Sequence, residues 1–307
     1  TQSRSSAASD VYKRQIFGCL ITIPLKTTIL INCPDQAGII STVTGFIHRN
    51  HGNIVYLDQH VDKQANVFFM RTVVEFADDF SNLGLFKTLF QSELASTYHM
   101  EWSLHTDDKL PKMAVFVSKY NHCLYDLLSR YRSGELAVEI PFILSNHNDL
   151  KHIADQFEIP FFHIPFNKEN KDKAENEQLA LLEKYHIDFI VLARYMQIVS
   201  SKLITKFTNK IINIHHSFLP AFAGAKPYHA AFKRGVKIIG ATSHYVTEEL
   251  DEGPIIEQDV TMVTHSHSIQ DFITKGRDLE KIVLSRGVKL HIARKTMVYN
   301  NKTVIFS

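Results

Sequence analysis

The chain of 307 residues is long enough for about two domains of ordinary size. Its content of 45% hydrophobic and 21% charged residues is a normal globular balance, which excludes wholesale disorder. The net charge of +2 gives no general attraction to nucleic acid or to a membrane surface, so neither is expected as a partner. The three cysteines, Cys19, Cys33 and Cys123, form no C-x-x-C pair, which predicts a reduced, cytoplasmic protein.

The first residues do not resemble a natural protein start. Residues 5–15 read SSAASDVYKRQ, whose second half resembles a translated sequencing adapter, and the first methionine is Met70. We therefore expect residues 1–20 to be a non-native artefact. The apolar stretch at 16–25 stops at a lysine and is shorter than the roughly 20 residues that a membrane-spanning helix needs.

Residues 21–104 predict a small α+β domain. Three segments, 27–32, 54–61 and 67–76, are rich in β-branched and aromatic residues and predict strands. Apolar residues at positions 39, 40, 43, 46 and 47 recur at helical spacing, and 83–95 predicts a second helix. Gly52 is expected to end the first helix in the left-handed position. The order strand, helix, strand, strand, helix is that of a ferredoxin-like unit.

A polar segment ending in proline, residues 105–111, is expected to link this domain to a larger one at 112–307. In the larger domain, predicted strands and helices alternate. Strands are expected at 112–117, 137–144, 160–164 and 189–192, and helices at 122–131, 149–157 and 171–185. This alternation predicts an α/β, Rossmann-like domain with a mostly parallel sheet covered on both faces.

Polar residues follow two later predicted strands. Asn213 and His215 are two apart near the end of a strand that begins at Ile211, so their side chains face the same side of the sheet. Asp251 lies in an acidic, turn-rich loop after a strand at 238–246. An amide and an imidazolium can stabilise an oxyanion, and a carboxylate can accept a proton from an attacking water or amine. From spacing alone, structural roles for the first two residues and a solvated surface role for the third stay open.

Neighbouring histidines at 215 and 216 raise the question of a metal site. Adjacent residues on a strand point to opposite faces of the sheet, so the two imidazoles cannot easily chelate one ion. No metal is expected.

Three ordered segments resemble motifs of the folate-dependent formyltransferase family. NIHHSFLP at 213–220 is similar to the catalytic motif, in which an Asn and a His flank the formyl group. HYVTEELDEG at 244–253 resembles the later motif that supplies an Asp, and LARYMQIV at 192–199 is similar to the segment that lines the pterin pocket. The catalytic residues that the resemblance implies are Asn213, His215 and Asp251. The substrate-binding residues that it implies are Met196, Gln197, Ile198, Val199, His244 and Leu250.

Two further segments, FLPAFAGAKPYH at 218–229 and GVKIIGATSH at 235–244, resemble the hydrolytic branch of that family. Members of this branch carry an N-terminal ACT domain, a ferredoxin-like sensor of small molecules, and residues 27–102 match that pattern. The resemblance implies hydrolysis of 10-formyltetrahydrofolate to formate and tetrahydrofolate without a cofactor, which supplies formate for purine synthesis and balances the one-carbon folate pools. It also implies a homo-oligomer, and an amino-acid effector at Asp35 and Gly38, although Asp35 could equally be an ordinary helix cap.

Two alternatives to hydrolysis remain. A formyltransferase acting on a phosphorylated amine, such as glycinamide ribonucleotide, uses a glycine-rich loop after the first strand of its catalytic domain to hold the phosphate. The corresponding residues here, 117–123, read VSKYNHC and contain no glycine, which favours water as the acceptor. The second alternative is a non-catalytic, amino-acid-responsive folate sensor, against which the complete set of Asn213, His215 and Asp251 argues.

Overall fold

The computed structural model describes residues 25–76, 82–166, 169–221 and 227–307. The chain divides after Lys109 into two compact units. The expected artefact at residues 1–20 lies outside the described residues.

The small unit contains one four-stranded antiparallel sheet in the order β2-β3-β1-β4. Its strands are β1 (Leu25–Pro34), β2 (Gly52–Asp62), β3 (Val67–Phe76) and β4 (Glu101–Thr106). Its helices are α1 (Ile39–Arg49) and α2 (Leu83–Phe90), and α2 continues through a π-helical turn at Gln91–Ala95 into Ser96–Tyr98. This arrangement confirms the predicted ferredoxin-like architecture.

The core of the small unit forms where α1 and α2 cover one face of the sheet. Ile39, Val43, Phe46 and Ile47 of α1 are all buried, as their spacing on one helical face predicts. Phe46 packs edge-on against Phe86 of α2, with ring centroids 5.3 Å apart. Aromatic packing of this kind stabilises the core beyond simple burial of area.

The end of α1 differs from its prediction. The left-handed residue is His51, with φ of 61°, and Gly52 already begins β2. Gly52 is needed there for space, because a Cβ atom would lie 2.7 Å from side-chain atoms of both Ile47 and Val74. The sequence pattern also missed β4, a short edge strand of polar character that extends over His105 and so into the segment expected to be a linker.

The large unit is built on a seven-stranded sheet in the order β11-β10-β9-β8-β5-β6-β7. Its strands are β5 (Met113–Val117), β6 (Ile143–Ser145), β7 (Phe161–His163), β8 (Phe189–Leu192), β9 (Ile211–His215), β10 (Ile238–Tyr245) and β11 (Ile255–Met262). Its helices are α3 (His122–Arg132), α4 (Lys151–Gln156), α5 (Lys171–Lys184), α6 (Ser201–Lys206), α7 (Pro227–Arg234) and α8 (Ile269–Ile292). A hairpin of β12 (Thr296–Tyr299) and β13 (Lys302–Ile305) follows α8.

Strands β5 to β9 pair in parallel, and β10 and β11 are antiparallel additions at one edge. The central strands β5 and β8 are buried along their whole length, which explains their continuous apolar sequences. The chain runs outward from β5 to β7 and then returns to β8 on the other side of β5. This reversal of strand order leaves a crevice at the carboxyl ends of β5 and β8, where ligands of α/β sheets bind.

The predicted strand at 137–144 is much shorter in the structure. Only Ile143–Ser145 forms a strand, and Glu139 makes an isolated bridge to Lys112. Pro141 lies between Glu139 and Ile143, and it lacks the N–H group that a continuous ladder of strand hydrogen bonds requires. Among the described helices, none has both the length and the apolar character to cross a membrane.

Candidate active site

A cavity of about 340 Å³ lies at the carboxyl ends of β8 and β9 in the large unit. Its size falls in the range of small-molecule sites, roughly 300–1,000 Å³. All nine residues that the sequence predicts for catalysis and substrate binding line it: Met196, Gln197, Ile198, Val199, Asn213, His215, His244, Leu250 and Asp251. The structure thus brings together side chains from three separate segments of the chain.

Asn213 is held by a side chain of the neighbouring strand. Asn213 of β9 and His244 of β10 are direct cross-strand partners, and their side chains meet at 3.2 Å between Nδ2 and Nε2. His244 Nδ1 lies 2.9 Å from the carbonyl oxygen of Tyr245. Because a carbonyl only accepts, Nδ1 must carry the proton, and Nε2 of the neutral ring then accepts from the Asn213 amide. The amide orientation is thereby set, and its second N–H remains for a ligand.

The protonation state of His244 supports this assignment. Burial lowers the pKa of His244 below its ordinary value of 6.5, although the hydrogen bond to the Tyr245 carbonyl and the charge of Asp251 oppose that effect. The imidazole is therefore neutral near pH 7 and can act as the acceptor. Sequence reasoning placed His244 among the substrate-binding residues but did not predict its contact with Asn213. That contact depends on the register of β9 and β10, which sequence spacing does not supply.

His215 and Asp251 form the second pair of the site. Nδ1 of the buried His215 lies 3.1 Å from Oδ2 of the half-buried Asp251. Nε2 of His215 is buried and has no hydrogen-bond partner among the described residues. Burial by itself raises the pKa of Asp251, but the hydrogen bond and charge of His215, with smaller effects from His244 and His216, bring that pKa below its ordinary value of 3.8. Asp251 is therefore ionised at neutral pH.

The backbone of the Asp251 loop is tightly constrained. Asp251 has a φ of 58°, in the left-handed region that Asp tolerates better than most residues. Tyr245 donates its backbone N–H to the carbonyl of Pro254 at 2.9 Å, which closes the loop onto the end of β10. A Cβ atom on Gly253 would lie 1.7 Å from the carbonyl oxygen of Tyr245, so only glycine permits this approach. Sequence reasoning missed Gly253, although the turn-forming Gly-Pro step after Asp251 was a visible signal.

A buried serine positions the opposite wall of the cavity. Ser118, which follows β5, is 2% exposed. Its Oγ accepts from the backbone N–H of Met196 at 3.0 Å and donates to Oδ1 of Asn146 at 2.6 Å. The wall itself carries exposed apolar side chains at Met196, Ile198 and, across the cavity, Leu250. Exposed apolar residues around a concave polar site are typical of a surface that receives a flat, partly apolar ligand.

The chemistry available to this arrangement is acyl transfer. Asn213 offers an oriented amide donor, and Asp251 offers an ionised carboxylate in the same cavity. His215 offers a ring nitrogen that has no partner in the described part of the chain. Donors fixed in a sheltered site stabilise a developing oxyanion, and a carboxylate beside them can deprotonate a nucleophile.

A separate cavity of about 460 Å³ in the small unit is lined by Asp35, Gly38 and the start of α1. The helix cap there is Gly38, with φ of 93°, and no side chain in the part of the chain that the structure describes caps the helix. The simple alternative, that Asp35 serves as the helix cap, is therefore wrong. Among the described residues, no side chain or backbone donor is bonded to the Asp35 carboxylate.

Comparison with known proteins defines the class of protein. A formyl transferase model matches residues 111–288, and an ACT domain model matches residues 27–84. The large unit is thus a formyl transferase domain, and an ACT domain precedes it, as the sequence motifs predict.

Whole-chain relatives narrow the class further. Formyltetrahydrofolate deformylase of Synechocystis sp. is 53% identical over 92% of this chain and 99% of its own length. That of Bacillus subtilis is 44% identical over 92% of this chain and 94% of its own. The crystal structure of the Pseudomonas syringae enzyme of the same name aligns with a TM-score of 0.89 at 40% identity, covering 98% of this chain and 99% of that one. The chain belongs to the formyltetrahydrofolate deformylase family.

Proposed function

We propose that this chain hydrolyses 10-formyltetrahydrofolate to formate and tetrahydrofolate, with Asn213, His215 and Asp251 as its catalytic residues. The single observation that carries this proposal is the pairing of these side chains at one cavity, with Asn213 oriented by His244 and Asp251 held by His215. The names of its relatives support the same substrate and the same acceptor.

In the proposed reaction, Asp251 accepts a proton from a water molecule as the water oxygen attacks the formyl carbon. The carbonyl oxygen becomes an oxyanion, which the free N–H of Asn213 and the protonated Nε2 of His215 stabilise. When the bond between the formyl carbon and N10 breaks, His215 delivers a proton to N10. The formic acid that results loses its proton to water and becomes formate, and Asp251 passes its proton to His215, which restores both side chains. Formate and tetrahydrofolate are released, and every proton transfer uses these side chains and water, without a cofactor.

The pterin ring is proposed to lie against the wall at residues 196–199 and the loop before Asp251. Ser118 supports that wall by holding the Met196 backbone, and Leu250 supplies an apolar surface on the opposite side. His244 contributes by orienting Asn213. The substrate-binding residues of this proposal are Met196, Gln197, Ile198, Val199, His244 and Leu250.

We assign a regulatory role to the small unit. Its cavity beside the start of α1 combines the Asp35 carboxylate, which no donor in the described ranges bonds, with the backbone N–H groups of a helix N-terminus. These two features match the ammonium and the carboxylate of an amino acid. The edge strands β2 and β4 offer unpaired backbone groups for association of two copies of the chain into an oligomer. We also propose that residues 105–111 link the two domains. We further propose that the chain acts in the cytoplasm, where it supplies formate for purine synthesis.

Formate release separates the candidate functions. Purified protein is given 10-formyltetrahydrofolate without an amine, and then with glycinamide ribonucleotide. A deformylase releases formate at the same rate in both cases. A transferase releases formate in neither case and formylates the amine, and a folate sensor binds the folate without turnover.

A further inference from the structure

A second cavity of about 220 Å³ adjoins the first one in the large unit. Arg194 and His216 line both cavities and form the wall between them. The volume lies below the range of about 300–1,000 Å³ that is usual for drug-sized ligands, so the cavity suits a small molecule rather than a second folate. Arg194 and Glu280 form the floor of the cavity and are buried. Tyr120 and Arg277 lie at its mouth and are exposed. It therefore connects the wall of the folate cavity to solvent.

The floor of this second cavity is an ordered polar network. The carboxylate of Glu280, 1% exposed, accepts from the Tyr228 hydroxyl at 2.6 Å and lies 2.8 Å from Nε2 of His122. Nε of Arg194 lies 3.4 Å from the same carboxylate. Burial raises the pKa of Glu280, but the hydrogen bond from His122 and the charge of Arg194 bring it below its ordinary value. The carboxylate is thus ionised and already occupied by donors.

The placement of Tyr228 in this network depends on a glycine. A Cβ atom on Gly276 would lie 2.1 Å from the Tyr228 ring. The close approach of α8 to α7 at this point allows the hydroxyl to reach Glu280. The packing of α8 against α7 therefore holds the polar side chains of the floor in fixed positions.

The balance of charge in the cavity favours an anion. Among the described residues that line the cavity, Arg194 and Arg277 contribute two permanent positive charges and Glu280 contributes one negative charge. Both guanidinium groups lie over the ring of Tyr120, at 4.9 and 5.9 Å from its centre. No carboxylate among the described residues pairs with Arg277, so its five N–H donors are available. An exposed cation at the mouth and a buried one on the floor are features that attract a small carboxylate.

A metal ion is a poorer match for the same cluster. His122, Cys123 and Glu280 bring their ligand atoms within 4.8 Å of one another. However, burial raises the pKa of the Cys123 thiol well above its ordinary value, and a thiol must lose its proton to bind a metal. The neighbouring Arg194 guanidinium also repels a cation.

We propose that this second cavity is a subsite for formate, which binds there while tetrahydrofolate still occupies the folate cavity. The inference rests on the proposed function, because hydrolysis generates formate on the inner side of the Arg194 and His216 wall. The negative charge of Asp251 beside the reacting carbon disfavours formate at that position, and the net positive charge of the second cavity favours binding of formate there.

The test is a calorimetric titration of sodium formate into enzyme saturated with tetrahydrofolate, so that it needs no turnover. We expect a 1:1 complex in the millimolar range. Arg277→Gln is expected to weaken formate binding about fivefold, and Arg277→Lys by less, because a charge-assisted hydrogen bond at an exposed site has a modest strength. Arg286→Gln removes an exposed arginine of the same helix outside the cavity and should leave formate binding unchanged. The KM for the folate should be unaltered in all three variants.

Three results would overturn the subsite. They are the absence of formate binding to the tetrahydrofolate complex, an unchanged dissociation constant in Arg277→Gln, and equal weakening in the Arg286→Gln control. Failure of hydrolysis in the wild type is a separate result that contradicts the proposed function, because formate binding is measured without it.

Discussion

The cavities of the small and the large unit each lie beside a loop that carries an aspartate, but the two aspartates are held very differently. Asp251 is half-buried, is bonded to His215 and lies on a backbone that Gly253 and Tyr245 constrain. The Asp35 carboxylate lies at the start of a helix, which it does not cap. Catalysis requires groups whose geometry is fixed before the substrate arrives. Reversible binding of an effector requires only complementary groups that are still unpaired, so the two cavities suit different tasks.

Among the substitutions that test this difference between the two aspartates, Asp251→Asn should have the largest effect. Asn adopts the left-handed backbone of position 251 as readily as Asp, so the loop should keep its structure. We expect kcat to fall about 10³-fold, the scale of a lost general base, while folate binding persists. Steady-state kinetics together with fluorescence titration of a folate measure the two quantities. A near-normal kcat would remove Asp251 from its assigned role.

Asn213→Ala removes the amide that His244 orients. The expected loss in kcat is about 10²-fold, the lower end for a lost oxyanion donor, because His215 remains. His244→Gln serves as the comparison, since a glutamine can still accept from the Asn213 amide and should retain more activity. If KM alone rose in Asn213→Ala, this residue would bind the ground state and not the oxyanion.

Ser118→Ala tests the wall that faces the catalytic residues. The substitution leaves the Met196 N–H and the Asn146 side chain without a buried partner, at a cost of about 1–3 kcal/mol. We expect KM for the folate to rise about tenfold, with kcat changed much less, because the wall binds but does not react. An equal drop in kcat and kcat/KM would place Ser118 in the chemistry instead.

The pH dependence follows from two lowered pKa values. Asp251 stays ionised above its lowered pKa, and His244 stays neutral above its own, which lies below 6.5. Lowering the pH from about 8 to 6.5 should therefore leave both groups in the same protonation state. We expect kcat to stay level over this interval. A clear decrease would show that a different group provides the base.

Asp35→Asn should have the smallest effect on the isolated reaction. With no effector present, kcat and KM should stay within about twofold of the wild type, since substitutions away from the reacting groups rarely do more. Binding of an amino acid to the small unit, measured by calorimetry, should weaken. A large loss of kcat in this variant would show that the small unit takes part in catalysis directly.

Sequence patterns predicted the helices and strands well where an element is buried on one face or on all sides. Strands such as β3 and β8 and the apolar face of α1 follow from periodicity alone. Sequence patterns failed where the available space or an exposed sheet edge determines the structure, as at Gly52 and at β4. The pairing of Asn213 with His244 depends on strand register, and that of His215 with Asp251 on a loop closed by Gly253, so neither could be read from spacing. The sequence motifs predicted which residues form the site, and the structure shows the contacts between them.

The most direct test of water as the acceptor is a single turnover of 10-formyltetrahydrofolate in oxygen-18-labelled water, without any amine. If Asp251 delivers water to the formyl carbon, mass spectrometry finds one labelled oxygen in each formate, and tetrahydrofolate appears at the same rate. The Asp251→Asn enzyme with bound folate should release almost none. Unlabelled formate, or turnover that begins only when an amine is added, would contradict the account.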